Sequence, residues 1–282
     1  MLQIALPNKG ALAEEAVELV RAAGYRCRRT GRELLVRDTE NEVEFLFLRP
    51  RDIATYVGQG VIELGITGRD LLADSEAGVP ERMPLRFGKA AFYYAAPKGS
   101  GLTPDALGGL RIATSYPTLV AQDLARRGVE APIVRLDGAV EISIALGVAD
   151  VIADVVQTGR TLDEAGLATI GEPILRTEAV LIAHDEATAT RNSARLFVER
   201  LRGILVAREY VMVEYDVPET ALEQAVAITP GIESPTVAPL SKAGWLAVKA
   251  MARQNEVNHI LDALTEIGAK GIIITDIRTC RI

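Results

Sequence analysis

The sequence predicts an α/β protein: a larger part in two lobes, followed by a small βαββαβ domain. Three observations carry this. Strand-like and helix-like segments alternate over the first two thirds of the 282 residues, the rhythm of a mostly parallel sheet with covered faces. The rhythm changes near Tyr210. Long crossings such as "EPILRTEAVLIAH" divide the larger part, with passage to a second lobe near Ala90 and return near Ala183. The expected domains are residues 1–90 with 184–210 (lobe I), 91–183 (lobe II) and 211–282 (small domain). The length agrees, since 282 residues correspond to about two domains, or three small ones.

The elements follow in order. "LQIAL" is a strand, and "GALAEEAVELVRAAG" is a helix with Leu12, Ala16, Leu19 and Val20 on one stripe. "VEFLFLR" is a buried-type strand. "PRDIATYVGQG" is a short helix opened by Pro50 and stopped by Gly58 and Gly60, and "VIELGIT" is a strand. "DLLADS" reads as helical and "FGKAAFYYAAP" as a long strand. "LTPDALGGL" reads as a helix with Thr103 at the N-cap and Pro104 at its first position. Then come "RIATS" (strand), "YPTLVAQDLARRG" (helix, closed by Gly128), "IVRL" (strand), "AVEISIALG" (helix) and "VADVIADV" (strand). The helix "ARLFVERLRGILVARE" leads into the last part. There "YVMVEYDV", "PETALEQAVAI", "SPTVAPLS", "GWLAVKAMA", "EVNHILDALTEIG" and "KGIIITDIRTC" give the order βαββαβ, the ferredoxin-like motif.

Composition narrows the function classes. Hydrophobic residues make up 49% and charged ones 24%, an ordinary globular balance. A formal net charge of −7, with no Lys/Arg run, argues against nucleic acid as a partner. The two cysteines, Cys27 and Cys280, have no metal-ligand spacing and fit a reducing compartment. No apolar stretch approaches the ~18 residues of a membrane span, and "MLQIALPNKG" enters strand-like sequence at once, so the expected address is the cytoplasm. The histidines, His184 and His259, are isolated, which supports neither a triad nor a zinc site. Trp245 reads as core.

The chemistry gathers at strand ends. In "DVVQTGRT" a strand ends on Asp154, Val155 and Val156, and then turns through Gln157, Thr158, Gly159, Arg160 and Thr161. Gly159 can take φ > 0 and let a ligand approach the backbone. Thr158 and Thr161 add hydroxyls, Arg160 a bidentate donor, and the start of "TLDEAGL" adds helix amides, a set that suits phosphate. Asp154 would face a sugar's hydroxyls and favour positive charge beside them. The alternative is a capped helix after a strand, with Asp154 solvated. Lys9 in "ALPNKGAL", Arg49 and Arg51 in "FLRPRDI", and Gly68, Arg69 and Asp70 in "GITGRDLL" stand at three further strand ends. Any one of them is readable as surface punctuation, and Lys9 alone reads better that way. Together, on parallel strands, they would form one basic rim. Thr114, Ser115 and Tyr116 in "ATSYPTL" open a helix, or meet an anion or base. Asp137 and Glu141 in "LDGAVEIS" stabilise a helix start, or Glu141 joins Asp154 around a sugar or Mg2+.

Taken together, "ALPNKGAL", "FLRPRDIATYVGQG", "ELGITGRDLL", "RIATSYP", "LDGAVEIS", "ADVIADVVQTGRTL" and "ITPGIESPTVAPL" resemble the long form of ATP phosphoribosyltransferase, across essentially the whole chain. The resemblance implies lobes like those of periplasmic binding proteins plus a ferredoxin-like regulatory domain. It implies a Mg2+-dependent pentosyl transfer from phosphoribosyl pyrophosphate (PRPP) to N1 of ATP, the committed step of histidine biosynthesis. It also implies feedback inhibition by histidine, competition by AMP, and homo-oligomers from dimer to hexamer. On it, Asp154–Thr161 binds PRPP. Lys9, Arg49, Gly68, Asp70 and Tyr116 fall to ATP or AMP, and Asp154, Glu141, Lys9 and Arg49 to catalysis, with Glu141 and Asp154 nearest any metal. Asp216, Ser234 and Thr236 fall to regulatory histidine. The rival class is a two-lobed small-molecule sensor without catalysis. A secreted receptor of that kind would carry an export signal, and a regulator a helix-turn-helix; neither is seen.

Overall fold

The computed structural model describes residues 1–29, 31 and 33–281. The chain begins β1 (Leu2–Pro7), α1 (Ala11–Ala22), β2 (Leu35–Asp38), β3 (Val43–Leu48), α2 (Pro50–Gly58), β4 (Leu64–Gly68), α3 (Arg69–Ser75) and β5 (Glu81–Pro84). It continues with β6 (Ala90–Pro97), β7 (Ile112–Thr114), α4 (Pro117–Arg127), β8 (Ile133–Arg135), α5 (Ile142–Ala145), β9 (Val151–Val156), α6 (Arg160–Glu164) and β10 (Leu167–Thr177). Then come β11 (Ala179–Ala183), α7 (Glu186–Thr190) and α8 (Asn192–Ala207). Two sheets result, in the orders β2-β3-β1-β4-β11-β5 and β10-β6-β9-β7-β8.

β1 lies inside the first sheet, with every residue but Gln3 buried. It pairs in parallel with β3 and β4, so the C-terminal ends of three strands meet on one rim. Phe45 and Phe47, on one face of β3, and Phe92 of β6 are fully buried, each worth about 1.5–3 kcal/mol of burial. The expectation of a mostly parallel pattern fails. Among the described residues four pairings in these sheets are parallel and five antiparallel. The causes are two: β2 and β3 form a hairpin, and the double crossing between lobes brings β6, β10 and β11 in against their neighbours' direction. The return also comes earlier than Ala183: β11 already belongs to the first sheet, so the chain crosses back at Glu178. "LTPDALGGL" forms only a 3-10 turn, Pro104–Ala106, and Thr103 makes no side-chain cap.

By contacts the protein divides into two compact units, Met1–Arg21 with Tyr25–Arg195, and Ala22–Gly24 with Leu196–Ile282. The greater part of α8 therefore groups with the small sheet and not with lobe I. Gly203 shows why: a Cβ there would meet Thr279 Oγ1 at 2.9 Å, so α8 lies close against the C-terminal segment. The second unit continues with β12 (Tyr210–Pro218), α9 (Leu222–Ile228), β13 (Thr236–Pro239), β14 (Trp245–Arg253), α10 (Val257–Glu266) and β15 (Lys270–Asp276). Its antiparallel order β13-β14-β12-β15 is that of the ferredoxin-like motif. Val211, Val213, Tyr215 and Val217 alternate inward beneath α9 and α10. The opposite face carries the even-numbered residues of β12, and Trp245 stands there half-buried instead of in the core, with Lys242 and Lys270 over its ring at 4.3 and 5.5 Å.

Candidate functional site

The segment "DVVQTGRT" builds a hollow of about 250 Å³. Asp154, on β9, pairs across the sheet with Tyr93, and its Oδ1 accepts from the Val155 amide at 2.8 Å. The strand then frays into a turn that Gly159 can make because its φ is +77°, in the left-handed region. Asp154, Val155, Val156, Gln157, Thr158, Gly159 and Thr161 all line the hollow, and Glu141 faces them from the residue before α5. Arg160 does not. Its guanidinium turns to solvent and bonds Glu164 one turn on, at 2.8 Å. α6 also spans only five residues, so its dipole is small. Any phosphate here rests on turn amides and on the hydroxyls of Thr158 and Thr161.

A cleft of about 360 Å³ adjoins this hollow and shares Val155 and Gln157 with it. That volume lies in the range of small-molecule sites. Lys9, Gly68, Asp70 and Tyr116 all line the cleft, whereas Arg49 stands exposed one residue outside it, next to Pro50, which does. The other basic groups of the supposed rim are already committed. Arg69 bonds Glu81 at 2.9 and 2.8 Å and Glu178 at 3.3 Å. Arg51 bonds Asp74 and the Ser115 carbonyl, each at 2.6 Å. Lys9 and Arg49 are what remain of the rim.

Acidic groups dominate the space between the two cavities. Burial, and then the charges of Glu141 and Asp70, push the Asp154 carboxyl above the usual aspartate range despite the Val155 hydrogen bond. Burial also raises the Tyr116 hydroxyl, together with the charge and hydrogen bond of Asp70. Asp70 is held in turn by Thr177, whose Oγ1 donates to Asp70 Oδ1 at 2.6 Å and accepts from the Asp70 amide at 3.0 Å. Gly68 allows this, because a Cβ there would collide with Asp70 Oδ1. Glu141 and Asp154 bring two carboxylates to one hollow, the number by which Mg2+ is usually held when phosphates and waters complete its shell. Among the described residues no group of three or more His, Cys, Asp or Glu could cage a metal alone.

Sequence reasoning missed Thr177 and Glu178, both in the cleft wall. The one available signal was the polar pair "TE" interrupting an apolar crossing, exactly where the chain changes lobes. In the small unit, Asp216 and Thr236 lie on the same open face, on strands separated by β14, where Asp216 pairs with Ala247 and Thr236 with Lys249. Ser234 precedes β13, and its hydroxyl reaches only the Pro235 carbonyl, at 3.5 Å.

The family profiles and the curated relatives agree along the chain. A family profile described as "ATP phosphoribosyltransferase" matches residues 49–203, and one described as "HisG, C-terminal domain" matches residues 207–279. The chain is 66% identical over 282 residues to the ATP phosphoribosyltransferase of Salinibacter ruber, covering the whole of both chains. It is 52% identical over 283 residues to that of Mycobacterium tuberculosis, again over the whole of both. Among solved structures it is similar to an ATP phosphoribosyl transferase (HisG:HisZ) complex from Thermotoga maritima. There the TM-score is 0.63 at 27% identity, over 72% of this chain and 97% of that one.

Proposed function

The chain belongs to the ATP phosphoribosyltransferase family and transfers the phosphoribosyl group of PRPP to N1 of ATP, the first step of histidine biosynthesis; from that premise we propose how its residues divide the work. The hollow holds PRPP. Turn amides with Thr158 and Thr161 take the 5-phosphate, and Asp154 accepts from the ribose hydroxyls while its charge favours positive character at C1. The cleft holds ATP, with Tyr116, Gly68 and Asp70 beside the nucleoside and Lys9 and Arg49 on the phosphates. N1 of adenine forms the new bond to C1 as the C1–oxygen bond to pyrophosphate breaks, and the pyrophosphate leaves with that electron pair. No protein nucleophile is required; the residues orient two substrates and place charge. Glu141 and Asp154, with PRPP itself, would hold Mg2+, and the ion would supply positive charge beside the departing pyrophosphate.

The observation that carries this reading is that the hollow and the cleft meet at Val155 and Gln157, so a sugar carbon in one can be reached from a base in the other. Formation of phosphoribosyl-ATP, followed by its absorbance in a mixture of ATP, PRPP and Mg2+, tests it. Asp154→Asn should suppress the signal, and Asp105→Asn, a change on the surface remote from both cavities, should not.

The C-terminal unit is the regulatory part. Histidine binds the open face of its sheet between copies of the chain, its ammonium or imidazolium on Asp216 and its carboxylate at Ser234 and Thr236. AMP competes in the catalytic cleft. The chain works as a homo-oligomer, from dimer to hexamer, in the cytoplasm. What supports the regulatory reading is a four-stranded sheet of its own, with its helices packed on one face, while among the described residues both cavities are lined from the first unit.

A further inference from the structure

α4 begins without a cap of its own. Its N-cap residue, Tyr116, contributes no side-chain acceptor, and Pro117 follows at the first helical position. The missing acceptor comes from the other lobe. Asp74, on α3 in lobe I, points Oδ1 at the amides of Thr118 and Leu119, at 3.0 and 3.2 Å. Its Oδ2 is bonded by Arg51 Nη1 at 2.6 Å, and Arg51 Nη2 donates to the carbonyl of Ser115 at 2.6 Å. The Arg51 guanidinium lies 5.0 Å from the centre of the Tyr116 ring, which meets Phe92 edge-on at 5.1 Å. Asp74 is 5% exposed, so its charge is neutralised by these partners and little by water.

These contacts span the two lobes, as do the hydrogen bonds between Asp70 and Thr177; the chain itself passes between the lobes at residues 85–89 and at Glu178. We propose that Arg51 and Asp74 form a latch that holds the lobes at the angle the reaction needs and keeps Tyr116 in the cleft wall. They are positioning residues: the pair touches neither cavity's contents, and it acts through the end of α4 and through Tyr116. With the latch intact, free protein is already closed and substrate meets a formed cleft. Without it, closure must be drawn from binding, and apparent affinity falls by the fraction of time the lobes are closed. The inference rests on the cleft being the ATP side.

Three variants test it. Arg51→Met keeps the stem over Tyr116 but removes both donors. Asp74→Asn keeps an acceptor for the α4 amides but removes the ion pair. Arg51→Lys retains a charge that can reach Asp74. The first two should raise KM for ATP about tenfold while kcat stays within about twofold, and Arg51→Lys should recover part of the loss. In substrate-free protein, hydrogen exchange at Thr118 and Leu119 should quicken in the first two variants and slow again under saturating ATP. A KM increase confined to PRPP would leave the latch standing and overturn the assignment of the cleft to ATP. Unchanged KM for both substrates, with only a lower Tm, would overturn the latch.

Discussion

On the proposed division of work, Asp154 sets catalysis against stability at a single carboxylate. Its proton is held to higher pH than in a free aspartate, first by burial and then by Glu141 and Asp70. A raised folded-state pKa means that the ionised form, the one present at neutral pH, is the form the fold disfavours. Asp154→Asn in metal-free buffer should therefore leave Tm unchanged or higher. The same change should lower kcat/KM by between about 10- and 150-fold, the loss of a hydrogen bond to a charged group of ~1.5–3 kcal/mol. A fall in Tm together with unchanged turnover would reverse the assignment. Lys9 and Arg49 make the opposite case. Both are exposed, so Lys9→Ala and Arg49→Ala should each raise KM for ATP several-fold with Tm within about 1 °C. Loss of stability with KM preserved would make them structural.

At the scale of elements, ends are where local pattern and distant contact part company. Arg111, before β7, donates to Asp150, before β9, from Nε at 3.1 Å and Nη2 at 2.8 Å, and to the Gly147 carbonyl at 2.7 Å. These hydrogen bonds hold the Asp150 carboxyl at about 2. Stability from a depressed carboxylate is present above its unfolded value, ~3.9, and is lost as pH falls through about 2. Arg111→Met should thus lower Tm by roughly 1–2 °C at pH 6, with the gap to wild type closing near pH 2. A gap independent of pH would mean that packing, not the ion pair, is what Arg111 supplies. Much of this scale was legible in the sequence. Pro50, Pro117, Gly128 and Gly159 mark ends through their own φ preferences, and apolar runs place β1, β3 and β9. What stayed hidden depends on partners far away in the chain. Asp74 stands unremarked within "DLLADS", although it caps α4. Arg51 and Arg69 read as ligand-binding cations, although carboxylates elsewhere had already claimed them.

For the whole molecule, the small unit poses the regulatory question. Asp216→Ala should remove most inhibition by histidine, a coupling of about 1–3 kcal/mol, and leave both uninhibited turnover and inhibition by AMP intact. Parallel loss of both inhibitions would place histidine in the catalytic cleft. The unit's fold was readable in advance because each βαβ half is local in sequence. The lobe boundary was harder, since an apolar strand looks the same whichever sheet receives it. That boundary has a consequence for how the protein comes into being. β11 lies between β4 and β5, so during synthesis lobe I waits with two unfinished edges until residue 183 has left the ribosome. Lobe II is one unbroken segment, 90–177, and can close its own sheet first. Pulse-labelled refolding should therefore protect the amides of β7 and β9 before those of β5. Protection of β5 ahead of β9 would mean that lobe I assembles without its inserted neighbour.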